Sequence, residues 1–319
     1  MVKYAIKRVL LMLFTLFVIL TMCFVLIKLL PLPAHKGIGV DAQLIELRRE
    51  QMGYGKPIMV QYFIFLRNVL TKWDWGVGEQ MYVAQEVWPA MISRLPYTMV
   101  VNLYSILLAI PIGLGFGIFA ALKKNKWQDH VISLSTMVLI SVPSYVYCYL
   151  IQYFLCFQWK LFPLQIYQES KAALFSLDMF YSMIPAILAL ALGVIAGLTR
   201  YTRAELSEVL TGEYMLLART KGLTKAQAIA RHAMRNAMVV ILPMIIGEFI
   251  GIIGGSLIIE QMFGIPGVGR LYITAINARD YNFFMALTSF YTFIGLLSGI
   301  VMDISYGFID PRIRMGSKK

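Results

Sequence analysis

Groups that do chemistry are scarce in this sequence. Its three histidines, His35, His130 and His232, lie far apart and suggest no ligand cluster. Its three cysteines, Cys23, Cys148 and Cys156, all fall inside apolar runs, so neither a disulfide framework nor a metal motif follows. No G-x-x-x-x-G-K-[ST] loop is present. The nearest glycine cluster, Gly267-Val-Gly269-Arg270, lacks the lysine and hydroxyl that hold nucleotide phosphates and magnesium. H-E-x-x-H and G-x-S-x-G are missing as well. Charged residues are only 14% of the chain, and acidic ones number 17. A membrane enzyme would need a polar catalytic cluster at one depth, and none is readable.

What the chain does hold is apolar length. Of 319 residues 59% are hydrophobic, and the mean hydropathy of +0.70 belongs to an integral membrane protein. The formal charge of +12 raises the question of nucleic acid. The basic residues are not gathered on one soluble domain, however. They stand at the ends of apolar runs, as the positive-inside rule describes.

Six spans are expected, at about 9–30, 97–122, 131–157, 179–199, 238–259 and 283–308, each long enough for roughly 30 Å of hydrocarbon. The first follows Lys3, Lys7 and Arg8, the charge order of a secretory signal. Its length and the Pro31-Leu-Pro-Ala sequence after it favour a retained anchor. With the N-terminus inside, the inner segments carry 17 Lys and Arg in about 63 residues, against 11 in about 110 outside. Both termini and the stretch 200–236 are therefore expected in the cytoplasm. The chain divides into 1–96, a first span plus an extracytoplasmic segment, and a five-helix core, 97–319.

Several spans carry glycines four apart, a spacing that lets helices approach closely: Gly113/Gly117, Gly193/Gly197, Gly247/Gly251/Gly255 and Gly295/Gly299. Few charges lie within spans. Glu248 is near the middle of the fifth, and two readings stand for it: a place on a translocation path, or a structural hydrogen bond between helices or subunits. Lys28, Glu260 and Asp303 lie near span ends and are expected to snorkel to the interface.

The stretch Arg200–Asn236 has its own structure. Thr211 is expected to cap a short helix with Glu213 in its first turn. Gly222 suits the left-handed position that ends a helix, with Leu223 folding back. Thr224 and Gln227 form a capping box for a second helix. There Ala226, Ile229, Ala230, Ala233 and Ala237 are expected on one face, and Gln227, Arg231 and Arg235 on the other. An amphipathic loop resting on lipid competes, but it needs neither cap.

Within this stretch Ala218-Arg-Thr-Lys-Gly222 and Arg231-His-Ala-Met-Arg-Asn-Ala237 resemble the EAA loop of permease subunits in binding-protein-dependent ABC importers. Leu216 and Leu217 replace the general Glu-Ala, and Met234-Arg235 replace Leu-Pro, departures found in the peptide and nickel branch. Arg94-Leu-Pro96, Phe263-Gly-Ile-Pro-Gly-Val-Gly-Arg270, Arg279-Asp-Tyr281 and Asp310-Pro-Arg-Ile-Arg314 extend the likeness over nearly the whole chain. It is most similar to the first, B-type, oligopeptide permease subunit.

The resemblance implies an all-α membrane protein of type I importer fold. It also implies a second homologous permease, two ATP-binding cassette subunits, an extracytoplasmic binding lipoprotein and a peptide substrate in a bacterial or archaeal cytoplasmic membrane. ATP and magnesium would sit on the ATPase partners, with no cofactor on this chain. Contacts to an ATPase would come from Glu213, Leu216, Leu217, Ala218, Arg219, Lys221, Gly222, Arg231 and Arg235. Nickel or glutathione import competes within the family. An ion-coupled carrier or channel, and a scaffold in a secretion complex, compete from outside it.

Overall fold

The computed structural model describes residues 2–31, 33–168 and 172–309, without the side chains of 2–5, 214, 216, 219 and 306–309. The Asp310–Arg314 motif lies outside the described residues. The helices in order are α1 (Val2–Leu29), α2 (Val40–Gln51), α3 (Ile58–Lys72), α4 (Val87–Ile92), α5 (Leu95–Leu122), α6 (Trp127–Ser141), α7 (Ser144–Ile151), α8 (Leu177–Thr211), α9 (Glu213–Thr220), α10 (Lys225–Ala228), α11 (Met234–Gly251), α12 (Leu257–Met262), α13 (Val268–Ala278) and α14 (Tyr281–Ile309). Wide π turns continue α7 (Gln152–Gln158) and join α10 to α11 (Ile229–Ala233). The chain falls into two compact units, 1–99 with 253–300, and 100–252 with 301–319.

Unit one gathers the segment between the first two spans onto α13 and the head of α14. Its core includes Phe24, Tyr62, Phe65, Trp75, Met91, Phe283 and Leu287. Two polar knots fasten it. Asp280 is fully buried, and one of its oxygens accepts from the backbone N–H of Glu79 and Gln80 at 2.8 Å and of Met81 at 3.2 Å. Glu79 in turn takes the Arg49 guanidinium and the Tyr54 hydroxyl, at 2.5 and 3.0 Å. Lys28 does not reach for water as expected: its ammonium lies over the Tyr54 ring, 3.4 Å from the centroid.

Unit two packs α5, α6 and α11 around α8. Gly113 and Gly117 make the α5–α8 contact possible. A Cβ on Gly113 would stand 2.9 Å from that of Leu198, and one on Gly117 2.5 Å from that of Thr202. The other glycine pairs differ. Gly247 meets Met302 closely, while Gly197, Gly251, Gly295 and Gly299 face open space. Gly255 is not on a span helix at all. α11 stops at Gly251, and Gly255 turns the chain at φ 62° before α12. The fifth span therefore ends earlier than expected.

Two more boundaries differ. Pro143 cannot continue α6, and α6 and the α7 segment meet at 103°, so the third span is broken. The fourth does not end at Thr199. α8, capped by Ser176 accepting from the Met179 N–H, runs 35 residues to Thr211. At 1.5 Å per residue that is roughly 50 Å, well beyond the hydrocarbon.

The bonds within unit one bear on how often the chain crosses. Residues 79–81 and Asp280 hydrogen-bond to each other, so they lie on one side of the membrane. Between them run the helical stretches Val87–Leu122, Leu177–Thr211 and Lys225–Gly251 and the broken pair 127–158. Three crossings would separate the partners and four reunite them. Five helices are long and apolar enough to cross a membrane, and the broken pair makes six if it is one span.

Candidate functional site

The projecting end of α8 leads into a compact helix–turn–helix. Thr211 does not cap α9; it is the last residue of α8, and its hydroxyl donates back to the carbonyls of Ser207 and Glu208. Gly212 ends α8 and α9 begins at Glu213, an acid in the first turn where the helix dipole favours it. Gly222 has φ 82°, and the Leu223 N–H returns to the Ala218 carbonyl at 3.3 Å, the six-to-one bond of a Schellman stop. The capping box is complete: Gln227 N–H donates to the Thr224 hydroxyl, and its side-chain oxygen accepts from the Thr224 N–H.

The buried face of the second helix is not the expected one. Ala228, Ala233 and Ala237 are fully buried, whereas Ala226 and Ala230 are exposed. The π turn at Ile229–Ala233 explains this. A wide turn takes more residues than an α turn, so the inward face steps from 228 to 233. Those alanines pack with Met215, Ala218, Leu206 and Ile241, giving the protrusion a core of its own.

That core sorts the contact residues. Glu213, Leu217, Lys221, Gly222, Arg231 and Arg235 are exposed, Leu217 at 55%. Ala218 is not part of it: at 4% exposure its methyl belongs to the inner core. The side chains of Leu216 and Arg219 lie outside the described residues. Met215 was missed as the core partner of Ala218, although their spacing of three puts them on one helix face.

An ion pair unforeseen in the sequence braces the base of this protrusion. Asp129, fully buried in the first turn of α6, accepts from both sides of the Arg203 guanidinium, with Nη2 at 2.8 Å. It also takes the Asn125 N–H at 2.9 Å. The short basic loop is thereby tied to the part of α8 that leaves the membrane. Asp129 stands at a helix start beside three lysines, a sign that reads equally as a plain surface cap.

Glu248 is half-buried on α11 and has no hydrogen-bond partner among the described residues. Glu260, expected to snorkel, is instead 2% exposed. Thr98 donates to its Oε1 at 2.9 Å and the Arg270 N–H to its Oε2 at 3.0 Å, while Thr98 itself accepts the Val268 N–H. Two glycines of the Phe263–Arg270 motif make room for this carboxylate: a Cβ on Gly267 would come within 2.4 Å of Oε2, and one on Gly269 within 2.9 Å. Burial pushes Glu260 up to about 7, against the pull of these donors. Among the described residues no group of three or more His, Cys, Asp or Glu is placed to hold a metal ion.

Two family profiles match the chain. The inner membrane component of binding-protein-dependent transport systems matches residues 113–315, and the N-terminal region of such membrane components matches 1–102. The dipeptide transport system permease protein of Lactococcus lactis subsp. cremoris is 32% identical over 99% of this chain and 100% of its own. That of Bacillus subtilis is 31% identical over the full length of both. A glutathione transport system permease protein of Escherichia coli K12 is 30% identical over 98% of this chain and 99% of its own. Among solved structures, an amino acid ABC transporter crystallised with histidines superposes with a TM-score of 0.51. It is 22% identical and covers 68% of this chain and 92% of that one, a likeness of fold.

Proposed function

The chain belongs to the inner membrane components of binding-protein-dependent transport systems, and we propose on that premise that it is the permease subunit through which an ATP-driven importer takes up peptides. The observation that carries the reading is the protrusion at 213–235. It has a rigid core, an exposed outer surface and a stem roughly 20 Å beyond the hydrocarbon. A membrane path without an ATP site of its own needs such a handle. ATP and magnesium bind two cassette ATPases, and one of them grips α9. Closure of the ATPase pair moves the protrusion, α8 and α11 follow, and the path built with a second permease switches access. An extracytoplasmic lipoprotein delivers the cargo. This chain catalyses no reaction. The density of Lys and Arg supports a cytoplasmic protrusion and N-terminus.

Peptide cargo rests on the dipeptide permeases, related along their whole length. The glutathione permeases support a second reading, in which the cargo is a small γ-linked peptide.

The test is Gly222→Val in the assembled transporter. A Cβ at this position meets nothing within 4 Å, so the cost comes from φ alone, on the order of 1–2 kcal/mol. The variant is expected to insert and assemble but to lose peptide uptake and its link to ATP hydrolysis. Wild-type uptake with wild-type ATPase stimulation would remove α9 from the coupling role.

A further inference from the structure

Unit one holds a second feature with no part in coupling. Two arginines line one recess of about 260 Å³: Arg94, at the head of the second span, and Arg270, in the first turn of α13. Tyr82, Gly267 and Thr274 complete its wall. Both guanidiniums are half-buried, and neither has a carboxylate partner among the described residues. Their contacts are neutral. Arg94 donates to the Tyr82 hydroxyl at 3.0 Å, and Arg270 to the Gly264 carbonyl at 2.9 Å. Two other arginines of the unit are neutralised: Arg48 pairs with Asp74 and Arg49 with Glu79.

The recess is held rigid. Arg270 leaves the chain directly beside the Glu260–Thr98 knot, so its backbone is fixed by the bond from its own N–H. Arg94 stacks on Tyr82, 5.4 Å from the ring centroid. Two fixed forks with unused donors, converging on one polar cavity, form a receptor for a single anionic oxygen pair. Like charges in one recess, neither of them salt-bridged to an acid, are unfavourable until an anion arrives.

We propose that this recess binds the free α-carboxylate of the cargo. The inference rests on the peptide-import reading. The α-carboxylate is the charged group that all dipeptides share whatever their side chains, and glutathione carries two. A site that reads this group alone serves a permease that must accept many sequences. The volume takes a chain terminus rather than a whole peptide, so the rest of the cargo stays free of sequence-specific contact.

The experiment uses the complete transporter in proteoliposomes, with its binding protein saturated by either of two probes, Ala-Ala-Ala or its C-terminal amide. The wild type is expected to import the free acid about tenfold faster than the amide. Arg94→Gln and Arg270→Gln are expected to bring the acid down to the amide rate and leave the amide rate and ATPase stimulation unchanged. Tyr82→Phe, which removes only a neutral partner of Arg94, is expected to narrow the ratio about threefold. It keeps the test open if an arginine variant fails to assemble. An equal loss for both probes would mean that the recess docks the binding protein or a lipid headgroup, and overturns the proposal. So would a wild type that does not distinguish the probes. Failure of the wild type to import either peptide would instead sink the peptide-import reading itself.

Discussion

At the scale of the residue, neighbours in sequence have opposite tasks. Leu217 is exposed and Ala218 buried, though both were expected to touch a partner. Leu217→Ala should therefore change stability by less than about 0.5 kcal/mol. Even so, it should weaken ATPase stimulation, which is read by ATP turnover with and without loaded binding protein. Ala218→Leu should do the reverse first, overfilling a tight core at about 1–3 kcal/mol and lowering the thermal midpoint in detergent. Asp280 is a third kind of residue. Its one oxygen collects three backbone N–H groups, and Asp280→Ala leaves them buried without an acceptor. A loss of roughly 3 kcal/mol or more follows, measurable as a fall in unfolding midpoint.

At the scale of the element, local chemistry was legible in the sequence and register was not. Gly222 and the Thr224–Gln227 box act over three or four residues, and the sequence alone identifies them. The π turn at 229–233 rests on how the alanines seat against Leu206 and Ile241, a tertiary fact, so the expected face was wrong by Ala226 and Ala230. The length of α8 was hidden for a similar reason. Hydropathy ends near Thr199, but the helix continues because its last turns pack into the protrusion's core. Glu260 shows the same limit. Its position near a span end suggested snorkelling, and only the fold brings Thr98 and two glycines around it. The consequence is a pH dependence. Its native pKa of about 7 is above the ordinary value of 4.5, so the folded state holds the proton more tightly. Stability from this group is full below pH 4.5 and is lost as pH rises toward 7. In the wild type the unfolding midpoint should fall over that window. In Glu260→Gln, which cannot ionise, that part of the slope should vanish.

At the scale of the whole molecule, the bond from the Gln80 N–H to Asp280 does more than hold unit one together. It favours an even number of crossings between the two residues. If the broken pair at 127–158 only dipped into the membrane, Gln80 and Asp280 would lie on opposite faces and this unit could not form. Single cysteines at exposed positions, in a background without Cys23, Cys148 and Cys156, separate the two cases. With six crossings, Glu50→Cys and Asn277→Cys react with an impermeant maleimide from one face, and Lys124→Cys and Lys221→Cys from the other. With a dipping pair, the partners exchange: Asn277→Cys would label with Lys124→Cys, and Lys221→Cys with Glu50→Cys. The charge distribution adds the direction. In intact cells the reagent should reach Glu50→Cys and Asn277→Cys and miss Lys221→Cys until the membrane is opened. That pattern would set the arginine recess where cargo arrives and the protrusion where ATP is, as vectorial import requires.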